Sequence, residues 1–231
     1  MNISIIIFCY NEGENISPVI SSALSLLTEI MEQFEIIIVD DGSTDDTIEI
    51  CKIIAAQNSR INIVRHAINK GIGMALRSGY EFAKYEYVCA IPGDGQFDVK
   101  ELIHVKPFSK NIFYSFYRYN AQYSLYRNCL TWVNRLFNQH ILGVYLRDVN
   151  WIKVYRKEQI ELVNPVLRSS LIESEICAKL YKMNVMPIEI PSVYHTRYFG
   201  KSKGGSWKTV RKAVAETYKL WRVVVSFKPK E

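Results

Sequence analysis

Short runs of β-branched residues alternate with segments of helical periodicity in the N-terminal half of the chain. The apolar runs read ISIIIFC, EIIIVD, INIVRH and YVCAI, and helical patterns at 14–31, 44–57 and 69–83 separate them. Strands that alternate with helices of this length form βαβ units, whose right-handed crossovers place helices on both faces of a parallel sheet. This alternation predicts an α/β fold.

The second half of the chain is less regular. Its expected features are an aromatic and basic stretch at 113–126, a helix that ends near Leu142, a strand at WIKVY, a helix at 171–182, a strand-like run at VMPIEIP and a last helix from about Trp207 to Val225. No internal repeat and no long linker divides the sequence. We therefore predict one domain over 1–205 and a C-terminal basic amphipathic helix with its tail over 206–231.

Composition excludes several classes of protein. With 231 residues, of which 48% are hydrophobic, the chain can bury a core, which excludes disorder and collagen-like repeats. The longest apolar stretch, Ile3 to Tyr10, is far shorter than the roughly 18 residues of a membrane-spanning helix and follows no basic segment, so we expect neither export nor a membrane span. Five widely spaced cysteines are typical of reduced thiols in a cytosolic protein.

Polar or small residues follow three of the predicted strands. Tyr10-Asn11-Glu12 follows the first, Asp40-Asp41-Gly42-Ser43 the second, and Pro92 to Gln96 the fourth. Because ligands bind such sheets at the carboxyl ends of the strands, we expect these loops to meet in a binding site. Thr44 or Asp45 can cap the next helix, but capping gives Asp40 and Asp41 no structural role, so we interpret Asp41 as functional.

Two glycine patterns resemble nucleotide-binding motifs without matching them. Gly71-Ile72-Gly73 has its next glycine only at Gly79, which fails the dinucleotide fingerprint. Gly200-Lys201-Ser202 resembles the end of a phosphate-binding loop, but His195 stands where the first glycine is required. Neither dinucleotide binding nor a Walker site is supported.

Six segments in a fixed order carry a resemblance to a known family. They read IIIFCYNEGENI, EIIIVDDGSTDDT, NKGIGMALRSGYEFA, IPGDGQFD, LRDVNWIKVYRK and HTRYFGKSK. In this order they resemble family 2 glycosyltransferases of the GT-A fold, and among them the dolichyl- or polyprenyl-phosphate sugar synthases. The resemblance implies a Rossmann-like, mostly parallel sheet flanked by helices. It also implies an inverting transfer of a sugar from a nucleotide-diphospho-sugar to a dolichyl or undecaprenyl phosphate.

The resemblance assigns donor-site roles to residues at the sheet edge. By position, Phe8, Tyr10 and Glu12 match the segment that holds the donor's nucleoside, and Asp41 matches the acid that contacts base or ribose.

The metal motif of the family is altered in this chain. The family's Asp-x-Asp reads Pro92-Gly93-Asp94, so Asp94 remains as the implied ligand of Mg²⁺ or Mn²⁺ and of the donor diphosphate. Gln96 matches the family's following glutamine and is assigned to the catalytic group with Asp94. One or two carboxylates suffice for such a cation when phosphate oxygens and water fill its other positions. Asp98 is either a compensating acid or a helix N-cap.

Basic residues match the family's phosphate-binding positions. Arg197, Lys201 and Lys203, with His195, match a segment whose mobile loop closes over the donor phosphates, and we assign Arg197 to catalysis and the two lysines to the donor. For the acceptor, Arg118 and Arg127 match arginines that meet the lipid phosphate. Asp148 and Glu175 also fall on family positions; Glu175 either orders the acceptor site through an arginine or pairs with a helix neighbour such as Lys179.

The chemistry of a lipid phosphate makes few demands on the protein. A phosphomonoester is already largely anionic at neutral pH, so its attack on the sugar requires no catalytic base. The basic last helix carries Trp and Tyr on its apolar stripe, which suits either a membrane interface or packing on its own domain. We therefore expect a membrane surface or a membrane subunit as partner, with the protein peripheral at the cytoplasmic face of a membrane.

Three other functions remain as alternatives. Transfer to a saccharide hydroxyl in cell-surface glycan assembly keeps the fold but needs a general base. Pro92 raises the alternative of a nucleotide-sugar binding module without activity. The net charge of +6 alone suggests a nucleic-acid binder, and we expect no nucleic acid as partner.

Overall fold

The computed structural model of the chain describes residues 1–121, 125–197 and 207–229, with the backbone alone at 126–127 and 207–214. The N-terminal elements are β1 (Asn2–Cys9), α1 (Gly13–Ile30), β2 (Gln33–Asp40), α2 (Thr47–Ala56), β3 (Ile61–Arg65), α3 (Ile72–Phe82) and β4 (Tyr87–Pro92). The strands pair in parallel in the order β3-β2-β1-β4. The predicted βαβ arrangement is confirmed.

The remaining described elements extend the same sheet. They are a 3-10 helix (Val99–His104), β5 (Ile112–Arg118), α4 (Leu125–His140), β6 (Lys153–Arg156), α5 (Lys157–Val163), α6 (Ile172–Lys182), β7 (Met186–Ser192) and α7 (Trp207–Ser226). The described strands form one sheet in the order β3-β2-β1-β4-β6-β5-β7, in which β6 runs antiparallel to both neighbours. The sheet is therefore mixed but mostly parallel.

β5 lies within the stretch that the sequence marks only as aromatic and basic. Phe113 and Phe116 are fully buried, and so is Ser115 between them. Phe113 belongs to the core on one side of the sheet and Phe116 to the core on the other, so both faces of β5 are covered and its sequence shows none of the alternation that marks a half-exposed strand.

Each face of the sheet carries its own core. Ile5 and Ile7 of β1 join α1, α2 and the 3-10 helix in one cluster, whereas Ile6 points to the opposite face and packs with α3, α5 and α6. The cysteines are free thiols as expected, and four of them are buried, but Cys129 is exposed on α4. The two cores hold β1, β2 and β4 rigidly at the centre of the molecule.

The C-terminal helix packs through a different stripe from the one the sequence indicates. Leu220 and Val224 of α7 are buried in the core on the α6 side of the sheet. Lys182 of α6 donates from Nζ to the Val224 carbonyl at 2.5 Å. Tyr218 and Trp221, which the sequence places on the apolar stripe, are 65% and 42% exposed. In the part of the chain that the structure describes, no helix has both the length and the apolar character to cross a bilayer.

A matched pair of substitutions tests how α7 packs on the core. Val224→Ala removes buried methyl groups and should lower the free energy of unfolding by about 2 kcal/mol. Val225→Ala changes the same residue type at a position that is 57% exposed and should leave it nearly unchanged. Urea melts of the two variants decide the matter, and equal stabilities would contradict the buried position of Val224.

Candidate functional site

The loops that follow β1, β2 and β4 meet at one edge of the sheet and open into a cavity of about 1550 Å³. Nine of the side chains singled out from the sequence line it: Phe8, Tyr10, Glu12, Asp41, Asp94, Gln96, Arg118, Asp148 and Arg197. The predicted Lys201 and Lys203 lie outside the described residues, as does the side chain of Arg127. The expectation that the strand-end loops converge is therefore confirmed.

Arg197 joins two of the loops through their carboxylates. Its Nη1 donates to Glu12 Oε1 at 3.1 Å, and its Nη2 donates to Asp94 Oδ2 at 2.8 Å. Glu12 is itself fixed, because its backbone N–H donates to Thr47 Oγ1 at 2.8 Å and its Oε2 accepts from Asn15 Nδ2 at 2.7 Å. One guanidinium thus lies between two largely buried carboxylates, the arrangement of strong charge-assisted hydrogen bonds.

Asp94 and Gln96 form one compact turn. Asp94 Oδ1 accepts from the Gln96 backbone N–H at 3.0 Å, and the Gln96 side-chain amide donates to the Tyr194 hydroxyl. Burial raises the pKa of the Asp94 carboxyl above its ordinary value, while the Arg197 guanidinium and the hydrogen bond from the Gln96 backbone N–H act in the opposite direction. Gln96 therefore links the altered metal motif to the segment that carries Arg197.

Asp41 holds the segment before α3. Its Oδ2 accepts from Gly71 N at 2.7 Å, and its Oδ1 accepts from Lys70 N at 2.9 Å and from His66 Nδ1 at 2.7 Å. The expectation that the adjacent acids lack a structural role is wrong. Asp40 likewise accepts from the Ser43 backbone N–H at 3.1 Å. Asp41 nevertheless lines the cavity, so its predicted contact with base or ribose stays a prediction.

Arg118 lies at the end of β5 in a rigid setting. Its Nε and Nη2 donate to the two carboxylate oxygens of Asp148 at 2.6 and 3.0 Å. Its guanidinium lies 4.6 Å from the ring centre of Trp151 and 5.7 Å from that of Tyr194. Such a bidentate and stacked arrangement fixes the direction of the guanidinium.

Lys153 is a site residue that sequence reasoning missed. It lines the cavity, is 3% exposed, and donates from Nζ to the carbonyls of Val149 at 2.6 Å and Trp151 at 3.0 Å. These bonds close the turn between Asp148 and β6. Lys153 lies inside the segment LRDVNWIKVYRK, but the resemblance gave it no role, and its backbone carbonyl partners leave no trace in the sequence.

Glu173 is a second residue that the sequence did not single out. It lies in the first turn of α6, lines the cavity, and accepts hydrogen bonds from the hydroxyls of Tyr155 at 2.7 Å and Tyr80 at 3.0 Å. Burial and the nearby Glu173 carboxylate raise the pKa of both tyrosines, so they remain protonated donors. The cavity therefore contains a carboxylate whose described partners are neutral hydroxyls.

Two predicted acids lie elsewhere. Glu175 is fully buried outside the cavity lining, where it accepts from Lys179 Nζ at 2.5 Å and from the backbone N–H of Leu167 at 2.8 Å. Of the two alternatives for Glu175, the structure shows the pair with its helix neighbour. Asp98 accepts from Lys100 N at 3.0 Å as the N-cap of the 3-10 helix, which is the structural alternative for that residue.

Beyond the polar edge the cavity continues between α4 and α7. Its walls there include Leu130, Val133 and Phe137 of α4 and Tyr218 and Trp221 of α7. One end of the cavity is therefore charged, and the other is apolar and partly open to solvent.

The described residues offer a divalent cation only part of a coordination shell. Among them there is no group of three or more His, Cys, Asp or Glu side chains that could hold a metal. Asp94 and Glu12 nevertheless converge on one cationic group, the Arg197 guanidinium. Mg²⁺ is commonly held by one or two carboxylates together with substrate phosphates. The residues present thus fit a metal that arrives with a diphosphate.

Comparison with known sequences identifies relatives of two kinds. The profile of the family described as Glycosyl transferase family 2 matches residues 4–155. A poly-beta-1,6-N-acetyl-D-glucosamine synthase from Staphylococcus epidermidis is 38% identical over 110 residues, which cover 47% of this chain and 26% of that protein. A dodecaprenyl-phosphate galacturonate synthase from Rhizobium johnstonii is 24% identical over 221 residues, 91% of this chain and 64% of that protein.

A third relative, like the protein from Rhizobium, is named for a polyprenyl-phosphate substrate. An undecaprenyl-phosphate 4-deoxy-4-formamido-L-arabinose transferase from Pectobacterium atrosepticum is 26% identical over 207 residues, 87% of this chain and 62% of that protein. The chain thus spans between 26% and 64% of the length of these three relatives.

Solved structures agree on the architecture. Staphylococcus aureus TarS 1-349 in complex with UDP-GlcNAc has a TM-score of 0.67 at 17% identity, over 100% of this chain and 68% of that one. A mannosyltransferase from Pyrobaculum calidifontis in complex with GDP-Man and Mn²⁺ has a TM-score of 0.65 at 16% identity, over 99% and 65% of the two chains. At these identities the likeness shows the fold alone, and it confirms the predicted GT-A fold. The family profile covers well over half of the sequence, and it shows that this chain belongs to glycosyl transferase family 2.

Proposed function

We propose that this glycosyltransferase moves a sugar, with inversion, from a nucleotide-diphospho-sugar to a polyprenyl phosphate. The observation that carries the proposal is that one continuous cavity joins the charged end at Asp94 and Arg197 to the apolar groove between α4 and α7. An amphiphilic acceptor with a phosphate head and an apolar chain suits such a cavity. The Rhizobium and Pectobacterium relatives, which match about nine tenths of this chain, are named for polyprenyl-phosphate substrates.

The charged end is suited to a leaving nucleoside diphosphate. We assign Phe8, Tyr10 and Asp41 to the nucleoside, and Arg197, with Lys201 and Lys203, to the diphosphate. Positioned cations that meet charge as it develops on a leaving group lower the barrier to transfer. Asp94 would hold Mg²⁺ or Mn²⁺, which would neutralise charge on the diphosphate oxygens.

The acceptor end needs orientation more than acid–base chemistry. A phosphate monoester is already a competent nucleophile at neutral pH, so the protein has to align it with the anomeric carbon. Arg118, which Asp148 and Trp151 hold in one orientation, is the proposed contact for the acceptor phosphate, with Arg127 as a second. The apolar groove is the proposed site of the prenyl chain.

Removal of the Asp94 charge tests the donor site. Asp94→Asn should lower turnover by about 10²-fold or more, because the carboxylate of the altered metal motif is lost. The control is Asp98→Asn, which removes an acid four residues away that caps the 3-10 helix. Sugar transfer is measured at saturating Mg²⁺ for both variants. More than about half of the activity left in Asp94→Asn would refute the role of Asp94.

Glu173 favours a second candidate function. Transfer to a saccharide hydroxyl requires a general base, and Glu173 is a cavity-lining carboxylate with described hydrogen bonds only to tyrosine hydroxyls. The S. epidermidis relative, 38% identical over 110 residues, is named a polysaccharide synthase. The two functions differ in whether the reaction depends on this carboxylate.

Glu173→Gln separates the two functions. With a polyprenyl-phosphate acceptor, which needs no base, the variant should keep transfer within a few-fold of the unaltered enzyme. With a saccharide acceptor, loss of a general base should cost about 10²- to 10⁴-fold. Radiolabelled sugar transfer to undecaprenyl phosphate and to oligosaccharides is compared for this variant and for Glu161→Gln, an exposed acid on α5. Transfer to oligosaccharides alone, lost in Glu173→Gln, would overturn the polyprenyl-phosphate proposal.

We further propose that the protein is peripheral at the cytoplasmic face of a membrane. Trp132 on α4 and Trp221 on α7 are 61% and 42% exposed, and the exposed Lys219 and Arg222 flank Trp221. Aromatic and basic side chains of this kind bind anionic lipid surfaces. Trp207, which the sequence places on the same stripe, has a side chain outside the described residues.

Replacement of the exposed tryptophans tests the membrane contact. The double variant Trp132→Ser and Trp221→Ser should lose co-sedimentation with anionic vesicles and keep its melting temperature, since neither ring is buried in a core. Ile53→Ser, at a residue that is 62% exposed on α2, is the control and should sediment unchanged. Equal sedimentation of the double variant and the unaltered protein would contradict this surface and favour attachment through a membrane subunit.

A further inference from the structure

The altered metal motif has Pro92 where the family has its first acid. Pro92 ends β4 opposite Phe8 of β1, and its side chain offers no oxygen to a cation. Asp94 is the acid that remains in the motif. A cation at this point therefore has one fewer ligand from the motif itself.

Glu12 brings a carboxylate to the same place from the β1 loop. It is 7% exposed and Asp94 is 5% exposed, and two nitrogens of one guanidinium reach both of them. The Glu12 backbone and its second oxygen are held by Thr47 and Asn15, so Oε1 is directed at the Arg197 end of the cavity. The two acids come from different loops but share one cationic partner.

One hydrogen-bond donor of the Arg197 guanidinium has no acceptor among the described residues. This donor is Nε, and it is buried. A buried donor without an acceptor is unfavourable, and a diphosphate oxygen in the cavity would supply one. This points to a diphosphate oxygen as a partner of the guanidinium when an anionic donor is bound.

We propose that Glu12 supplies the carboxylate that Pro92 removes from the metal motif, and that Arg197 keeps Glu12 and Asp94 together until a metal with its diphosphate replaces the guanidinium. This inference rests on the proposed donor site and changes the role that the sequence gives Glu12 from nucleoside contact to metal ligand. Arg197 then turns to the diphosphate.

Binding of Mn²⁺ to the full chain tests this inference without reference to activity. Free Mn²⁺ is measured by its electron paramagnetic resonance signal, with MnCl₂ alone and with UDP or GDP added. Glu12→Gln should weaken Mn²⁺ binding in the presence of the nucleotide by at least about tenfold. Glu14→Gln, an exposed acid two residues along α1, should bind as the unaltered protein does.

A rescue experiment separates a ligand from a structural residue. Pro92→Asp in the Glu12→Gln background returns an acid to the motif and should restore Mn²⁺ binding, which repair of a misfolded loop would not do. Arg197→Gln should strengthen the binding of MnCl₂ alone, because the competing cation is gone, and should weaken the binding of UDP or GDP. Weaker binding of MnCl₂ alone by Arg197→Gln would overturn the proposal that the metal takes the place of the guanidinium.

Asp94→Asn distinguishes failure of this inference from failure of the proposed donor site. If Asp94→Asn loses Mn²⁺ and Glu12→Gln keeps it, the role of Glu12 is wrong and the donor site stands. If both variants keep Mn²⁺ binding, the proposed metal site itself is wrong. Loss in both variants with rescue by Pro92→Asp supports the inference.

Discussion

The parallel pairing of β1 with β2 and β4 sets the geometry on which the site depends. Cys9 lies opposite Asp40 and Phe8 lies opposite Pro92, so the loops leave the sheet at the same level. The hydrogen-bond ladder continues past the strands, since Asp41 N donates to Cys9 O and Gly93 N donates to Phe8 O, both at 2.9 Å. Residues from three distant parts of the sequence are thus held by the backbone of one buried strand.

Local patterns in the sequence were sufficient for the half of the fold built from βαβ units. Each strand there is a short β-branched run, and each helix follows it within a few residues. The expected strands at WIKVY and VMPIEIP and the expected helix at 171–182 are also present, but the antiparallel pairing of β6 with β4 and β5 is long-range, and no local pattern records it. The buried stripe of α7 is likewise chosen by its partner α6, which is why Leu220 and Val224 pack inward while the aromatic residues beside them stay exposed.

The sequence predicted those site residues that lie in recognisable motifs. It did not predict the residues that reach the cavity only through the packing of a helix. Glu173 and Glu175 are two positions apart on α6, so their side chains point to different sides of the helix. One lines the cavity with Tyr80 and Tyr155, and the other lies in the interior with Lys179. From the sequence, Glu175 had two alternatives, an acceptor role because a family position falls there and a pair with Lys179. Which of two neighbouring acids reaches a cavity is decided by the packing of the helix.

The loop that carries Asp94 lies directly on the core. A Cβ at Gly93 would come within 2.8 Å of Ile16 Cδ1 and 3.0 Å of Cys9 Cβ, so this loop has no clearance above α1 and β1. Protein interiors are packed so densely that a change of one methylene group is transmitted to its neighbours. The position of the Asp94 carboxylate therefore depends on how its loop packs against the side chains of Ile16 and Cys9.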